Sequence, residues 1–240
     1  MRAGKRGGAS SPGRHGLAIA AVVTGLVGCS SPGAGSPVEA TPPSAPGCAP
    51  VEATEWVADE GAASLGVHVE VPRPQRWQSR PEDAARLLAA GRRAEKSEGG
   101  SARPRSAVVL TGPVQGADAQ PPIAVATVSD VTADIDGRSP DDYLDYQFEA
   151  LDDLATQGQH VDKQPPTTFC SFPARSHVLL DSPRGRKVFN IMALVPAAGR
   201  SYRVDLGVAP FGTTDTALRD EIALVLAGVR IRAGVSGTAM

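Results

Sequence analysis

Apolar residues beyond residue 50 recur at spacings typical of short strands and of amphipathic helices. The segment 65–71 alternates apolar residues with small or polar ones and ends at Pro72, a period-two pattern that predicts a strand. Valine-rich runs at 106–111 and 123–128 predict two adjacent strands of an antiparallel pair. Further strands are expected at 168–172, 176–181, 187–195 and 202–208. The Pro/Gly-containing segment 196–200 predicts that the last two form a hairpin.

Three helices are predicted between these strands. The first covers 81–98, because proline and two acids open it, basic residues fill its last turns and two glycines follow. The second begins after the capping residue Ser139 and is expected to continue until shortly before Gly158. The third is expected at 215–227, and a short strand at 229–232 follows it.

The order of these elements predicts an α+β fold. Strands and helices alternate irregularly, which is typical of an antiparallel sheet flanked by helices. No second linker interrupts the pattern, so one domain at 51–233 is expected, followed by a flexible tail at 234–240.

The first 28 residues have the features of an export signal. Four basic residues precede an apolar stretch at 17–27, which at about 1.5 Å per residue is too short to span a hydrocarbon core of about 30 Å. The stretch ends in Leu26-Val27-Gly28-Cys29, which looks like the lipobox of bacterial lipoproteins. This resemblance implies that Cys29 is lipidated and becomes the first residue of the mature chain.

The segment 29–50 is rich in Ser, Pro, Gly and Ala, and Glu39 carries its one charge. Such a composition cannot offset its ordering entropy by burying apolar surface, so we expect a disordered spacer. The sequence therefore predicts an extracytoplasmic domain that a lipid anchors to the cell membrane or envelope.

The net charge of −2 hides an uneven distribution. The mature chain keeps 20 basic and 26 acidic residues, and a net charge of −6 argues against a nucleic-acid partner. Residues 73–105 carry a net charge of +5, whereas residues 106–162 carry −10. Arg73, Arg76 and Trp77 lie together in the basic segment, a composition that suits an anionic headgroup or a sugar. The alternative is that this basic surface packs against the acidic helix of the same domain.

Two cysteines, Cys48 and Cys170, remain in the mature chain besides Cys29. Two thiols exported to an oxidising compartment are expected to form a disulfide. The alternative of a reactive thiol at Cys170 lacks the basic neighbour that would stabilise a thiolate.

No local motif indicates catalysis, a metal site or a cofactor. The mature histidines, His68, His160 and His177, lie far apart, and no nucleophile elbow, phosphate-binding loop or zinc motif occurs. The acids of the second predicted helix are expected on its solvent side and not around a cation.

Several of these features together resemble the LpqN/LpqT-type lipoproteins of actinobacteria. They are the lipobox, the Pro/Ser-rich spacer, the Val-Pro-x-Pro-x-x-Trp segment from Val71 to Trp77, and the late hairpin followed by a helix. The resemblance implies a PsbP-like α/β/α sandwich with a role in the cell envelope, and it carries no catalytic residues across.

The resulting hypothesis is a non-catalytic protein that binds or hands over an envelope lipid or glycolipid. Its ligand would lie between sheet and helix, with Trp77, Tyr143, Tyr146, Arg73 and Arg76 as candidate binding residues. The alternatives are an adaptor that binds another envelope protein, and a hydrolase whose residues come from distant segments.

Overall fold

The fold was derived from a computed structural model of the chain. It describes residues 48, 51–52, 55–98, 103–115, 120–135, 137–152, 159–181, 186–210 and 215–234. The predicted signal peptide, Cys29 and most of the predicted spacer therefore lie outside the described residues.

The described part of the chain contains eleven strands and five helices. In chain order they are β1 (Glu55–Ala58), α1 (Glu60–Ala63), β2 (Val67–Arg73), β3 (Gln78–Ser79), α2 (Pro81–Glu98), β4 (Pro104–Thr111), β5 (Ile123–Asp130), α3 (Thr132–Ile135), α4 (Pro140–Glu149), β6 (Gln159–Lys163), β7 (Thr167–Phe169), β8 (Phe172–Asp181), β9 (Arg186–Ala197), β10 (Arg200–Ala209), α5 (Thr216–Gly228) and β11 (Arg230–Ala233). The fold is α+β, as predicted.

Eight of the strands form one antiparallel sheet in the order β3-β4-β5-β10-β9-β8-β6, and β7 pairs with β8 beyond the end of β6. The strands β9 and β10 form the predicted hairpin, whose turn residues Ala198 and Gly199 both have positive φ. Two such residues in succession match the right-handed twist of the flanking strands. The predicted antiparallel pairing of β4 with β5 is also confirmed.

The strand predicted at 65–71 belongs to a second, smaller sheet. This strand is β2, which pairs with β1 on one side and with β11 on the other. Apolar residues of β2 face the large sheet and enter the main apolar core.

The two faces of the large sheet are covered differently. Because side chains alternate along a strand, Val108 and Leu110 of β4 lie on one face and Val109 lies on the other. The first face packs against α5 and the small sheet in the main apolar core. The second face packs against α2 and α4. The molecule therefore has helices on both sides of its large sheet.

Local sequence signals place the start of α4. Ser139 is the N-cap, and its side-chain oxygen accepts a hydrogen bond of 3.1 Å from the Asp142 backbone N–H. Pro140 is the first helical residue, and acids occupy the first turn, which suits the positive end of the helix dipole. The start of α4 is therefore fixed, which positions its inward side chains over β8 and β9.

Three expectations about the elements are corrected. The second predicted helix is interrupted earlier than expected, since α4 ends at Glu149 and a turn at Ala150 and Leu151 follows it, while residues 153–158 lie outside the described residues. The strand predicted at 168–172 is divided between β7 and β8, because Cys170 and Ser171 both have positive φ and form a turn. The pattern also failed to predict the short or polar elements β1, α1, β3, α3 and β6.

Cys48 and Cys170 form the predicted disulfide. Cys48 also donates its backbone N–H to the carbonyl of Val229 at 3.0 Å, and the Ile231 N–H donates to Cys170 Sγ at 3.2 Å. The disulfide therefore fixes the end of the predicted spacer beside the junction of α5 and β11.

The described helices include none that combines the length and the hydropathy needed to cross a bilayer.

Candidate functional site

The face of the large sheet beneath α2 and α4 contains buried polar side chains. On β9, Asn190 pairs with His177 of β8 on one side and with Gly207 of β10 on the other. Side chains that are directly opposite in antiparallel strands have Cβ atoms about 4.5–5.5 Å apart. We use the name inner polar cluster for the buried polar residues of this face and of α4: Thr127, Ser129, Gln147, Arg175, His177, Asn190, Arg203 and Asp205.

Strand register brings these residues into neighbouring rows. Asp205 of β10 pairs with Thr127 of β5, and Arg203 pairs with Ser129 in the next row. Gly207 stands between Asn190 and Val125 and contributes no side chain to the face. A glycine inside a strand often marks a place where a ligand or another backbone segment approaches closely.

Arg203 is almost completely buried and binds both the sheet and α4. Its Nε donates to Asp205 Oδ2 at 2.8 Å, and one terminal nitrogen donates to Gln147 Oε1 at 2.9 Å. Burial alone would lower the pKa of Arg203, but the interactions with Asp205 and Tyr143 together outweigh burial and raise it. Burial raises the pKa of Asp205, and the positive charge of Arg203 counteracts only part of this change.

Tyr143 of α4 lies beside this pair and is fully buried. Its hydroxyl interacts electrostatically with Arg203, although the geometry falls outside that of a hydrogen bond. Burial is the main cause that raises the pKa of Tyr143 to about 12, so the phenol is neutral at physiological pH.

Arg175 is a second buried guanidinium that binds α4. Its Nε donates to Asp145 at 2.7 Å and a terminal nitrogen donates to Asp141 at 3.0 Å, while the other terminal nitrogen donates to the Ala174 carbonyl. The hydrogen bond from Arg175 lowers the pKa of Asp145. Asp141 and Asp145 are exposed, as predicted for the acids of this helix, but they also bind Arg175.

Four members of the cluster have buried polar atoms without a hydrogen-bond partner. They are both ring nitrogens of His177, Asn190 Oδ1, Thr127 Oγ1 and Ser129 Oγ. Burial, and then the charge of Lys163, lower the pKa of His177 to about 4, so its imidazole is neutral at pH 7. The ring also contacts Phe148 of α4 edge to face, with centroids 5.5 Å apart.

Unpartnered buried polar atoms are uncommon, because each costs about 1–3 kcal/mol. The five such atoms of the cluster share one face of one sheet, next to a glycine and under two helices, while others lie outside it at Asp59, Ser106 and Gln159. The two buried guanidinium groups of the cluster already bind carboxylates. The arrangement can therefore donate hydrogen bonds to, and accept them from, an uncharged polar group, and it has no unpaired buried cation for an anion.

The five residues proposed from the sequence as ligand-binding do not lie together. Trp77 is buried in the main apolar core, on the opposite face of the large sheet from Tyr143. Its Nε1 donates to Glu221 Oε2 at 3.0 Å, and Arg76 binds Glu221 and Asp215 near the start of α5.

Arg73 forms an ion pair with Glu55 and donates to the Trp77 carbonyl at 3.2 Å. Tyr146 lies on α4, half-buried, under the guanidinium of Arg138 at 4.7 Å. The structure thus groups Arg73, Arg76 and Trp77 beside α5 and β1, and it places Tyr143 next to the inner polar cluster.

The basic segment 73–105 does not bind the acidic helix in the described part of the chain. Its ion pairs there are with Glu55, with acids at the start of α5, and with Glu82 and Asp83 of α2 itself. Leu87 of α2 and Phe148 of α4 nevertheless share one apolar cluster. The alternative that the basic surface packs against the acidic helix therefore stays a prediction.

A hydrolase site needs a nucleophile hydrogen-bonded to a histidine, and a metal site needs several ligating side chains close together. His68 and His160 are exposed, and no Ser or Asp of the described residues forms a hydrogen bond with either of them or with His177. Within the described ranges, no group of three or more His, Cys, Asp or Glu side chains is placed to hold a metal ion.

Sequence reasoning did not identify the inner polar cluster. The signal was present in β10, where Arg203, Asp205 and Gly207 alternate with buried apolar residues. A polar strand face is normally exposed to solvent, and only the tertiary position of α4 reveals that this one is covered.

The comparisons with known proteins include a distant structural likeness. No protein-family model and no curated protein matches the chain. The structure is similar to the crystal structure of LpqN, described as involved in cell envelope biogenesis of Mycobacterium tuberculosis. The identity is 18%, the match covers 74% of this chain and 90% of that chain, and the TM-score is 0.49. No residue role or ligand is carried over from it.

The Arg203–Asp205 pair provides a test of how the cluster contributes to stability. Arg203→Met should lower the free energy of unfolding by about 3–5 kcal/mol, because Asp205 is left buried without its partner. The double variant R203M/D205L should lose less than R203M alone, and Arg200→Met at an exposed pair should cost about 1 kcal/mol or less. Urea denaturation measures all three. A double variant that loses as much stability as R203M, or more, would contradict the assignment.

The lowered pKa of His177 should make the stability of the protein depend on pH. This pKa is about 4 in the folded protein and about 6.5 in an unfolded chain, so the unfolded state binds more protons between these values. Stability should therefore fall as the pH falls, by about 2 kcal/mol from pH 7.5 to pH 5. His177→Gln should remove this part of the dependence, whereas His160→Gln at an exposed site should not. Urea denaturation at several pH values measures it, and equal pH profiles for wild type and H177Q would contradict it.

Proposed function

We propose that this chain is a lipid-anchored extracytoplasmic protein that binds the uncharged polar head of an envelope lipid or glycolipid in the inner polar cluster. The observation that carries the proposal is the set of unpartnered buried polar atoms on His177, Asn190, Thr127 and Ser129. The export signal and the lipobox at Cys29 support the location.

The chemistry of the cluster favours a neutral head group. Neutral His177 supplies one donor and one acceptor, Asn190 supplies an acceptor, and the hydroxyls of Thr127 and Ser129 can do either. Sugar hydroxyls match such a mixed set. A phosphate or a carboxylate would require an unpaired cation, and Arg175 and Arg203 already bind carboxylates.

The surroundings of the cluster suit the apolar part of an amphiphile. On the same face, Leu87 of α2 and Phe148 of α4 share an apolar cluster with Val125, Leu179 and Val188. An acyl chain that enters beside the polar residues would contact these side chains and lose its contact with water.

An adaptor for another envelope protein is the second candidate function. It needs no internal ligand, and the exposed surface would carry its specificity. The two functions differ in one observable: only a ligand-binding protein should be extracted from the envelope together with a bound small molecule.

Native mass spectrometry of the mature protein after gentle extraction from the envelope tests the proposal. The expected result is an adduct whose mass fits a neutral lipid or glycolipid. The double variant T127V/N190L should lose the adduct, because two hydrogen-bonding groups are replaced by apolar ones. Thr168→Val, at an exposed position of β7, is the control and should keep it. A wild-type protein that is extracted without any adduct would contradict the proposal, and crosslinking to an envelope protein would then support the adaptor.

A further inference from the structure

The second half of α2 and the start of β4 form an exposed basic surface, which we call the basic ridge: Arg92, Arg93 and Arg105. Gly91 packs against Pro104, since a methyl group at Gly91 would lie 3.4 Å from Pro104 Cδ. This contact brings the arginines of α2 close to the first residues of β4.

A β-bulge gives Arg105 its outward direction. Pro104 pairs with Ser129 and Ser106 pairs with Val128, so Arg105 is the extra residue between them. Bulges commonly redirect a side chain near functional sites. Arg105 is exposed here, although its strand is covered on both faces.

The charges of the ridge are not neutralised by the described residues. At the start of α2, Arg86 and the preceding residue Arg80 form ion pairs with Glu82 and Asp83. Among the described side chains, by contrast, no carboxylate forms an ion pair with Arg92, Arg93 or Arg105. The ridge is therefore a local positive surface on a mature chain that is acidic as a whole.

We infer that the basic ridge rests on the anionic headgroups of the membrane to which the protein is anchored. This inference deepens the proposed function and rests on it for the anchored location. A lipid anchor keeps the domain close to the surface, so even a weak electrostatic contact is populated, and each basic residue near an anionic surface strengthens binding about fivefold. Contact at the ridge places α2, which covers part of the candidate site, against the membrane.

The length of the spacer is compatible with this orientation. Cys48 is fixed beside Val229, in the layer opposite α2, and layers in such a fold lie about 10 Å apart. The roughly 19 residues that separate Cys29 from Cys48 can span about 65 Å when extended. The chain is therefore long enough to pass around the domain.

Vesicle binding tests the inference without the contribution of the anchor. The mature chain with Cys29→Ser is mixed with vesicles of phosphatidylcholine alone, or of phosphatidylcholine with phosphatidylglycerol, and binding is measured by cosedimentation. The protein should bind the anionic vesicles, and added salt should weaken the binding. The triple variant R92Q/R93Q/R105Q should bind about a hundredfold more weakly.

The control is R138Q/R200Q/R232Q, which removes three exposed arginines elsewhere and changes the net charge equally. It should retain most of the binding. Equal losses in the two triple variants, or equal binding to both kinds of vesicle, would overturn the inference.

Native mass spectrometry of the ridge variant separates this inference from the proposed function. An adduct that persists while vesicle binding is lost supports a ridge that acts separately from the ligand site. An unliganded wild-type protein that still binds anionic vesicles through the ridge would contradict the proposed ligand and leave the ridge supported.

Discussion

Two buried guanidinium groups hold α4 on the large sheet, and the candidate site depends on them. Arg203 binds Asp205 on its own strand and Gln147 on the helix, and Arg175 binds Asp141 and Asp145, which lie earlier on the same helix. Removing a guanidinium from water is costly, and it is offset only when the geometry of its hydrogen bonds is good. These directional hydrogen bonds fix the position of α4 on the sheet. Apolar contacts alone are not directional and would fix it less precisely.

The consequence is a large sheet with two different faces. The face toward α5 and the small sheet is an apolar core in which Trp77 is a large buried residue. The face toward α4 keeps polar groups in a layer that the helix protects from water. Groups such as Asn190 and His177 are destabilising there unless they have partners. Their presence is explained if the face serves binding.

The sequence predicted much of the fold because the main elements have local signals. The helix caps, the hairpin turn and the valine-rich strands depend on neighbours within a few residues, and they were placed to within a few positions. The length of the second helix was overestimated, since the apolar spacing continues to Leu151 and Leu154 although α4 ends at Glu149. The turn at Cys170 was missed because positive φ in a non-glycine residue leaves no pattern in the sequence.

The candidate site could not be predicted in the same way. Its residues come from β5, β8, β9, β10 and α4, and only strand order places them side by side. Trp77 and Tyr143 were grouped because both are large aromatic residues. In the structure they pack against opposite faces of the large sheet, because side chains alternate between its two faces. The disulfide was predictable, because an export signal and two remaining cysteines suffice for the argument.

Nitrogen-15 NMR of the histidine rings tests the central claim most directly, since His177 is buried whereas His68 and His160 are exposed. The mature chain with Cys29→Ser would be titrated with octyl glucoside, a neutral sugar amphiphile, below its critical micelle concentration. A sugar head group that binds the inner polar cluster should shift the His177 ring nitrogens with saturation, and it should leave those of His68 and His160 unchanged. An unchanged His177 signal, or equal shifts of all three rings, would contradict the account.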